Sequence, residues 1–111
     1  MKSKVYFCKE VSPEKLVEMY KLLGKELPGN VAVKVHSGEE GNQNYLRPEF
    51  MKPMVEYVNG TIVECNTAYG GERNTSEKHL KTIERHGWNK YFTVDLMDKA
   101  NNKRRVWEER L

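Results

Sequence analysis

The run HSGEEGNQNYLRP at 36–48 follows directly on the apolar stretch VAVKV, and it carries one His, two Glu, two Gly and two Asn. The neutral imidazole of His36 with the carboxylate of Glu39 or Glu40 is a donor set suited to a divalent metal. His79 adds a second imidazole from the segment TSEKHLKTIERHG, so His36, Glu39 and His79 form a candidate metal site. The same histidines can instead be surface or hydrogen-bonded core residues. His86, at the far end of that segment, reads as a partner for a helix C-terminal dipole. A second chemistry is anion binding. In AYGGERNT (68–75), Gly70 and Gly71 let backbone approach a phosphate or carboxylate, and the segment feeds a helix N-terminus where free N–H groups favour negative charge. Arg73 can clamp such a group bidentately, with Lys34 adding charge if it reaches, or Arg73 can be an ordinary surface residue. Tyr45 and Tyr69 can line a pocket or pack. No GxGxxG or Walker pattern is present. Cys65 with a histidine base is a further nucleophile option. Ser37 beside His36 carries no such argument, because adjacent side chains on an extended chain diverge.

These residues need elements to position them, and the chain alternates strand and helix signals. VYFCK (5–9) reads as a strand. SPEKLVEMYKLLGKELPG reads as a helix, with Ser12 as N-cap and Pro13 at the first helical position. Leu16, Tyr20, Leu23 and Leu27 recur at helical spacing and predict one buried face. VAVKV (31–35) is a second, doubly covered strand. Pro48 opens a second helix that Pro53 is expected to kink or split, and Asn59-Gly60 ends it. TIVEC (61–65) is a third strand; Glu64 and Cys65 point to opposite faces, so only one faces a shared pocket. Asn74 or Thr75 caps a third helix, with Glu77 at capping-box spacing from Asn74. YFTVDLM (91–97) is a fourth strand.

The order βαβαβαβ predicts a three-layer α/β domain over 1–98, with a mostly parallel sheet of about four strands and helices on both faces, followed by a charged tail at 99–111. Parallel strands point one way, so the segments at 9–12, 36–44, 66–74 and beyond 98 meet at the carboxyl edge, where ligands of open α/β sheets bind. The long, Gly-rich, polar segments lie on that edge; LPGN and VNG on the other are short.

Composition narrows the classes. The 111 residues carry a net charge of +3 and 32% charged residues, too slight a basic excess to argue for nucleic acid. The basic run KRR at 103–105 reads as a solvated tail. There is neither a membrane-length apolar run nor the apolar core of a signal peptide, so the expected location is cytoplasmic and no membrane partner is expected. Cys8 and Cys65 form no CxxC unit and read as buried thiols, which leaves no cysteine framework for zinc or an iron–sulfur cluster.

Three segments together carry a family resemblance: VAVKVHSGEEGNQNYLRPEF, TIVECNTAYGGERNTSEKHL and HGW. Over about 4–98 the chain resembles the domain of unknown function found in uncharacterised iron–sulfur center proteins of bacteria and archaea. The matching positions are His36, Glu39, Asn44, Arg47, Asn66, Tyr69, Gly70, Arg73 and His79. The first reading is a binding module, resembling the N-terminal part of such a protein, whose polar carboxyl-edge site takes a metal or small anion, with Asn44, Arg47, Asn66, Tyr69, Gly70, Gly71 and Arg73 as ligand-binding residues. Longer members carry ferredoxin-like cysteine runs for [4Fe–4S] clusters; this chain has none, so no cluster is expected in it. Similar proteins continue past the equivalent of Asp98, so a truncated product is expected, folded but inactive in one reading. Its bare sheet edge would be covered by dimerisation. An enzyme with redox or isomerase-like chemistry, using His36 and His79 as acid–base groups, is the alternative.

Overall fold

A computed structural model describes residues 2–99. The elements are α1 (Pro13–Leu22), β1 (Val31–Lys34), α2 (Pro48–Tyr57), β2 (Gly60–Glu64), α3 (Ser76–Arg85), a 3-10 turn (Trp88–Lys90) and β3 (Asp95–Leu96). The charged tail, with KRR and Trp107, lies outside the described residues. The sheet has the order β1-β2-β3, and both pairings are parallel. Val31 stands opposite Gly60 and Lys34 opposite Val63, while Glu64 pairs with Leu96. All three carboxyl ends therefore share one edge, and β2 lies in the middle.

Among the described residues the sheet has three strands, not four. Residues 5–9 form none: Val5 is 88% and Phe7 81% exposed. A run of high β-propensity becomes a strand only where a neighbour takes up its backbone hydrogen bonds. The last strand is shorter than 91–97 because the 3-10 turn captures its start. The N–H groups of Tyr91 and Phe92 donate to the Trp88 carbonyl at 3.2 and 3.1 Å.

Local chemistry sets the helix starts. The Ser12 hydroxyl accepts from the Lys15 N–H at 3.2 Å, and Thr75, not Asn74, accepts from Lys78 N–H. With Thr75 as cap, the residue three further on is Lys78, so the Asn74–Glu77 capping box does not form. The helix from Pro48 runs unbroken through Pro53. The predicted apolar face of α1 is not buried: α1 has no buried residue, and Leu23 and Leu27 are more than half exposed. Tyr20 meets Tyr57 of α2 edge-on at 6.1 Å. Leu16, Tyr20 and Leu27 otherwise line an open apolar groove of about 540 Å³ with Ala32, Phe50 and Met54. The core lies elsewhere, where Val35, Val55, Ile62, Ile83, Trp88 and Leu96 join the sheet to α2, α3 and the 3-10 turn.

Candidate functional site

The polar centre is Glu64, the last residue of β2, whose side chain is fully buried at the carboxyl edge. Strand alternation turns Glu64 inward and leaves Cys65 half-buried, as Cys8 also is. Both are free thiols, less buried than their type suggests. One oxygen of Glu64 accepts from Lys34 Nζ at 2.8 Å and from the Cys65 N–H at 2.9 Å. The other accepts from the Ser37 N–H at 2.9 Å, the Ser37 hydroxyl at 2.8 Å and Arg73 Nη2 at 3.0 Å. Burial pushes the carboxyl up, but these donors prevail and hold its pKa at about 2. Lys34 thus reaches in from the paired strand and also donates to the Val35 carbonyl at 2.7 Å.

Arg73 spans the site from floor to rim, with a side chain only 4% exposed. Its Nε lies 3.4 Å from His79 Nε2, and its Nη1 donates to Glu39 Oε1 at 2.6 Å. Nη1 also stands 3.1 Å from His36 Nε2 and donates to the Tyr69 hydroxyl at 3.4 Å. Tyr69 donates its own proton to Glu39 Oε1. Burial opposes the charge on Arg73, but Glu39 and Glu64 outweigh it and raise its pKa, so it stays a cation. The hydrogen bond from Tyr69, with help from Arg73, keeps the Glu39 carboxyl low.

His79 is fully buried. Its Nδ1 lies 3.0 Å from the Asn66 side-chain oxygen, which accepts the ring proton; Nε2 then accepts from Arg73 Nε, and the Ser37 hydroxyl, whose one proton goes to Glu64, stands 3.2 Å from it. Burial lowers the pKa of His79 and favours this neutral form.

The loop after β1 is pinned to α3 and the turn beyond it. The Ser37 carbonyl accepts from Trp88 Nε1 at 3.0 Å and from His86 Nδ1 at 2.9 Å. Arg85 grips Glu40 at 2.8 and 3.1 Å, and Thr82 adds a bond at 3.2 Å. The His86 ring stacks on Tyr45 at 4.0 Å. Gly38, at φ +105°, lies so close to both residues that a Cβ would stand 2.7 Å from His86 Nδ1 and 2.7 Å from Tyr45 Cβ.

Of the candidate residues, the fold brings together His36, Glu39, Tyr69, Arg73, His79 and Asn66. Asn66 also donates to Ser76 Oγ at 3.1 Å. Arg47 is engaged elsewhere, lying 3.9 Å over the Tyr45 ring and donating to the Gln43 carbonyl at 2.6 Å. The Asn44 N–H is occupied by the side chain of Asn42. Gly70 and Gly71 are exposed, with open space around them. The Arg73 guanidinium stands among His36, Glu39 and His79, and no group of three or more His, Cys, Asp or Glu among the described residues is arranged to hold a metal. Glu64 and Ser37 are not among the candidate residues, although Glu64 is one of the two strand-end residues of which the sequence places one toward the pocket. A carboxylate that ends an apolar strand needs cationic partners if it turns inward, and the sheet order and register decide that Glu64 does.

No curated protein and no solved structure matches the chain. Residues 31–108 match the family model described as Domain of unknown function (DUF362). The match begins at the first residue of β1 and takes in the Glu64–Arg73 cluster. It covers more than half of the 111 residues, and the chain belongs to the DUF362 family.

Proposed function

We propose that the carboxyl-edge cluster binds a small oxyanion, in a module of the kind that accompanies iron–sulfur domains in the proteins this chain resembles. The observation that carries the reading is the convergence of donors at the rim. Arg73 Nη1 and the Tyr69 hydroxyl both donate to one oxygen, Oε1 of Glu39, with His36 Nε2 3.8 Å from it, so these donors are arranged around a carboxylate oxygen. Arg73 is oriented for this by Glu64 behind it, as a binding cation must be if it is not to collapse onto its ligand.

A divalent metal on His36, Glu39 and His79 fits the same residues less well. The guanidinium is already within 3.1 Å of His36 and 2.6 Å of Glu39, and like charges at that range repel. An acid–base pair of His36 and His79 has a different difficulty: His79 is wholly buried and its free nitrogen faces Arg73. Titration with inorganic phosphate or acetate, followed by backbone amide shifts, tests the proposal. Saturable shifts confined to 36–41 and 69–73, lost in Arg73→Lys, are expected. Stoichiometric zinc binding that disappears in His79→Ala would replace the oxyanion with a metal.

A further inference from the structure

We propose that Glu39 is an internal stand-in for the ligand, occupying the place of a ligand carboxylate and yielding it when that ligand enters. The inference rests on the oxyanion reading and adds its ligand class and its control. The first observation concerns His36. The Gly38 N–H donates to His36 Nδ1 at 3.0 Å, so a neutral ring carries its proton on Nε2. That N–H faces Arg73 Nη1, a second donor, at 3.1 Å. Two donors face to face need an acceptor between or beside them. The nearer of the two oxygens that accept from Arg73 Nη1 is Glu39 Oε1, at 2.6 Å, and it lies 3.8 Å from Nε2, beyond hydrogen-bond range. The acceptor therefore satisfies Arg73 and Tyr69 but leaves His36 short.

The second observation is accessibility. The Glu39 side chain is 38% exposed and that of His36 59%, whereas the floor carboxylate of Glu64 is wholly buried. Side-chain rotation alone can withdraw Glu39. The neighbouring carboxylate cannot follow, because Arg85 and Thr82 hold Glu40 to α3. A free carboxylate arriving from solvent is chemically the same group, and without a tether it can approach His36 closely enough to take its proton as a hydrogen bond. Glu39 competes as a tethered group, at the millimolar or higher effective concentration typical of short linkers. The site therefore selects for ligands that outbid a carboxylate already in place.

Acetate is the probe, with inorganic phosphate in parallel, titrated into wild-type, Glu39→Ala and Glu39→Gln proteins. Removing the tethered competitor should tighten acetate binding by about tenfold or more, the scale of one charge-assisted hydrogen bond. Glu39→Gln, which preserves the shape of the rim, should tighten it less. Tyr69→Phe placed on Glu39→Ala should weaken it again without touching the core. Equal acetate affinity in wild type and Glu39→Ala would overturn the stand-in role while leaving the oxyanion site intact. Absence of saturable binding in every variant would remove the site itself. Tightening for phosphate but not acetate would overturn the carboxylate class.

Discussion

At the residue scale the molecule is organised around one carboxylate. Glu64 accepts from a lysine, an arginine, a serine hydroxyl and two backbone N–H groups, so its ionised form is stabilised only in the folded chain. Its pKa falls from 4.5 to about 2, which means the stabilisation is complete above pH 4.5 and is lost as pH falls toward 2. Roughly 3 kcal/mol of stability goes over that range, by proton linkage. His79 acts earlier. It is held neutral by burial, so the unfolded chain takes up its proton below 6.5 and stability starts to decline there. Urea denaturation between pH 8 and pH 2 should therefore show a shallow decline followed by a steep one. In Glu64→Gln the steep part should be absent, and stability at pH 7 should be lower by about 3–5 kcal/mol, because Arg73 and Lys34 lose their buried counter-charge. An unchanged acid limb in that variant would show that the cluster is not what acid disrupts. Sequence pattern located this chemistry better than it ranked it. His36, Glu39, Tyr69 and Arg73 are legible because glycine-rich polar loops after two parallel strands must meet. Which residue is central depends on side-chain direction, and the inward turn of Glu64 follows only from strand alternation combined with a known register.

At the element scale, the legible parts are those whose signals are local. Pro48, the β-branched strand cores, and Ser12 with Pro13 place their elements within a residue or two. The misses depend on tertiary partners: a strand at 5–9 needs a neighbour, an apolar stripe on α1 needs a cover, and YFT yields to the 3-10 turn that precedes it. The same distinction predicts how two caps behave. Thr75 starts α3, which buries His79, Thr82 and Ile83, whereas Ser12 starts α1, which buries nothing. Thr75→Ala should lower global stability by about 1 kcal/mol, read from the urea midpoint. Ser12→Ala removes an equivalent bond from a helix that can open on its own. Its effect should be faster amide exchange within 13–22 with little movement of the midpoint. Equal global losses in the two variants would mean that α1 is as firmly coupled to the core as α3.

At the scale of the whole molecule, polar and apolar surfaces separate. The site edge is closed by ion pairs, while the N-terminal segment and the region around α1 leave Val5, Phe7, Val11, Leu22, Leu23 and Leu27 more than half exposed. Next to them, β1 is an outer strand of the sheet whose residues Val31–Lys34 all border the apolar groove. An outer strand with free backbone groups beside apolar side chains is a template for pairing, and a net charge of +3 is a weak barrier to it. We propose that a second copy of the chain covers this face. The driving force is apolar burial, so association should strengthen or hold as salt rises, unlike pairing through surface charges. Sedimentation velocity from low to high micromolar concentration should show a concentration-dependent shift toward dimer that persists at high salt. Phe7→Ser and Leu27→Ser, each replacing an exposed apolar side chain and neither touching the Glu64 cluster, should return the chain to monomer without changing the acid limb described above. A wild-type chain that stays monomeric throughout would leave this face bare, and the groove would then need a different cover.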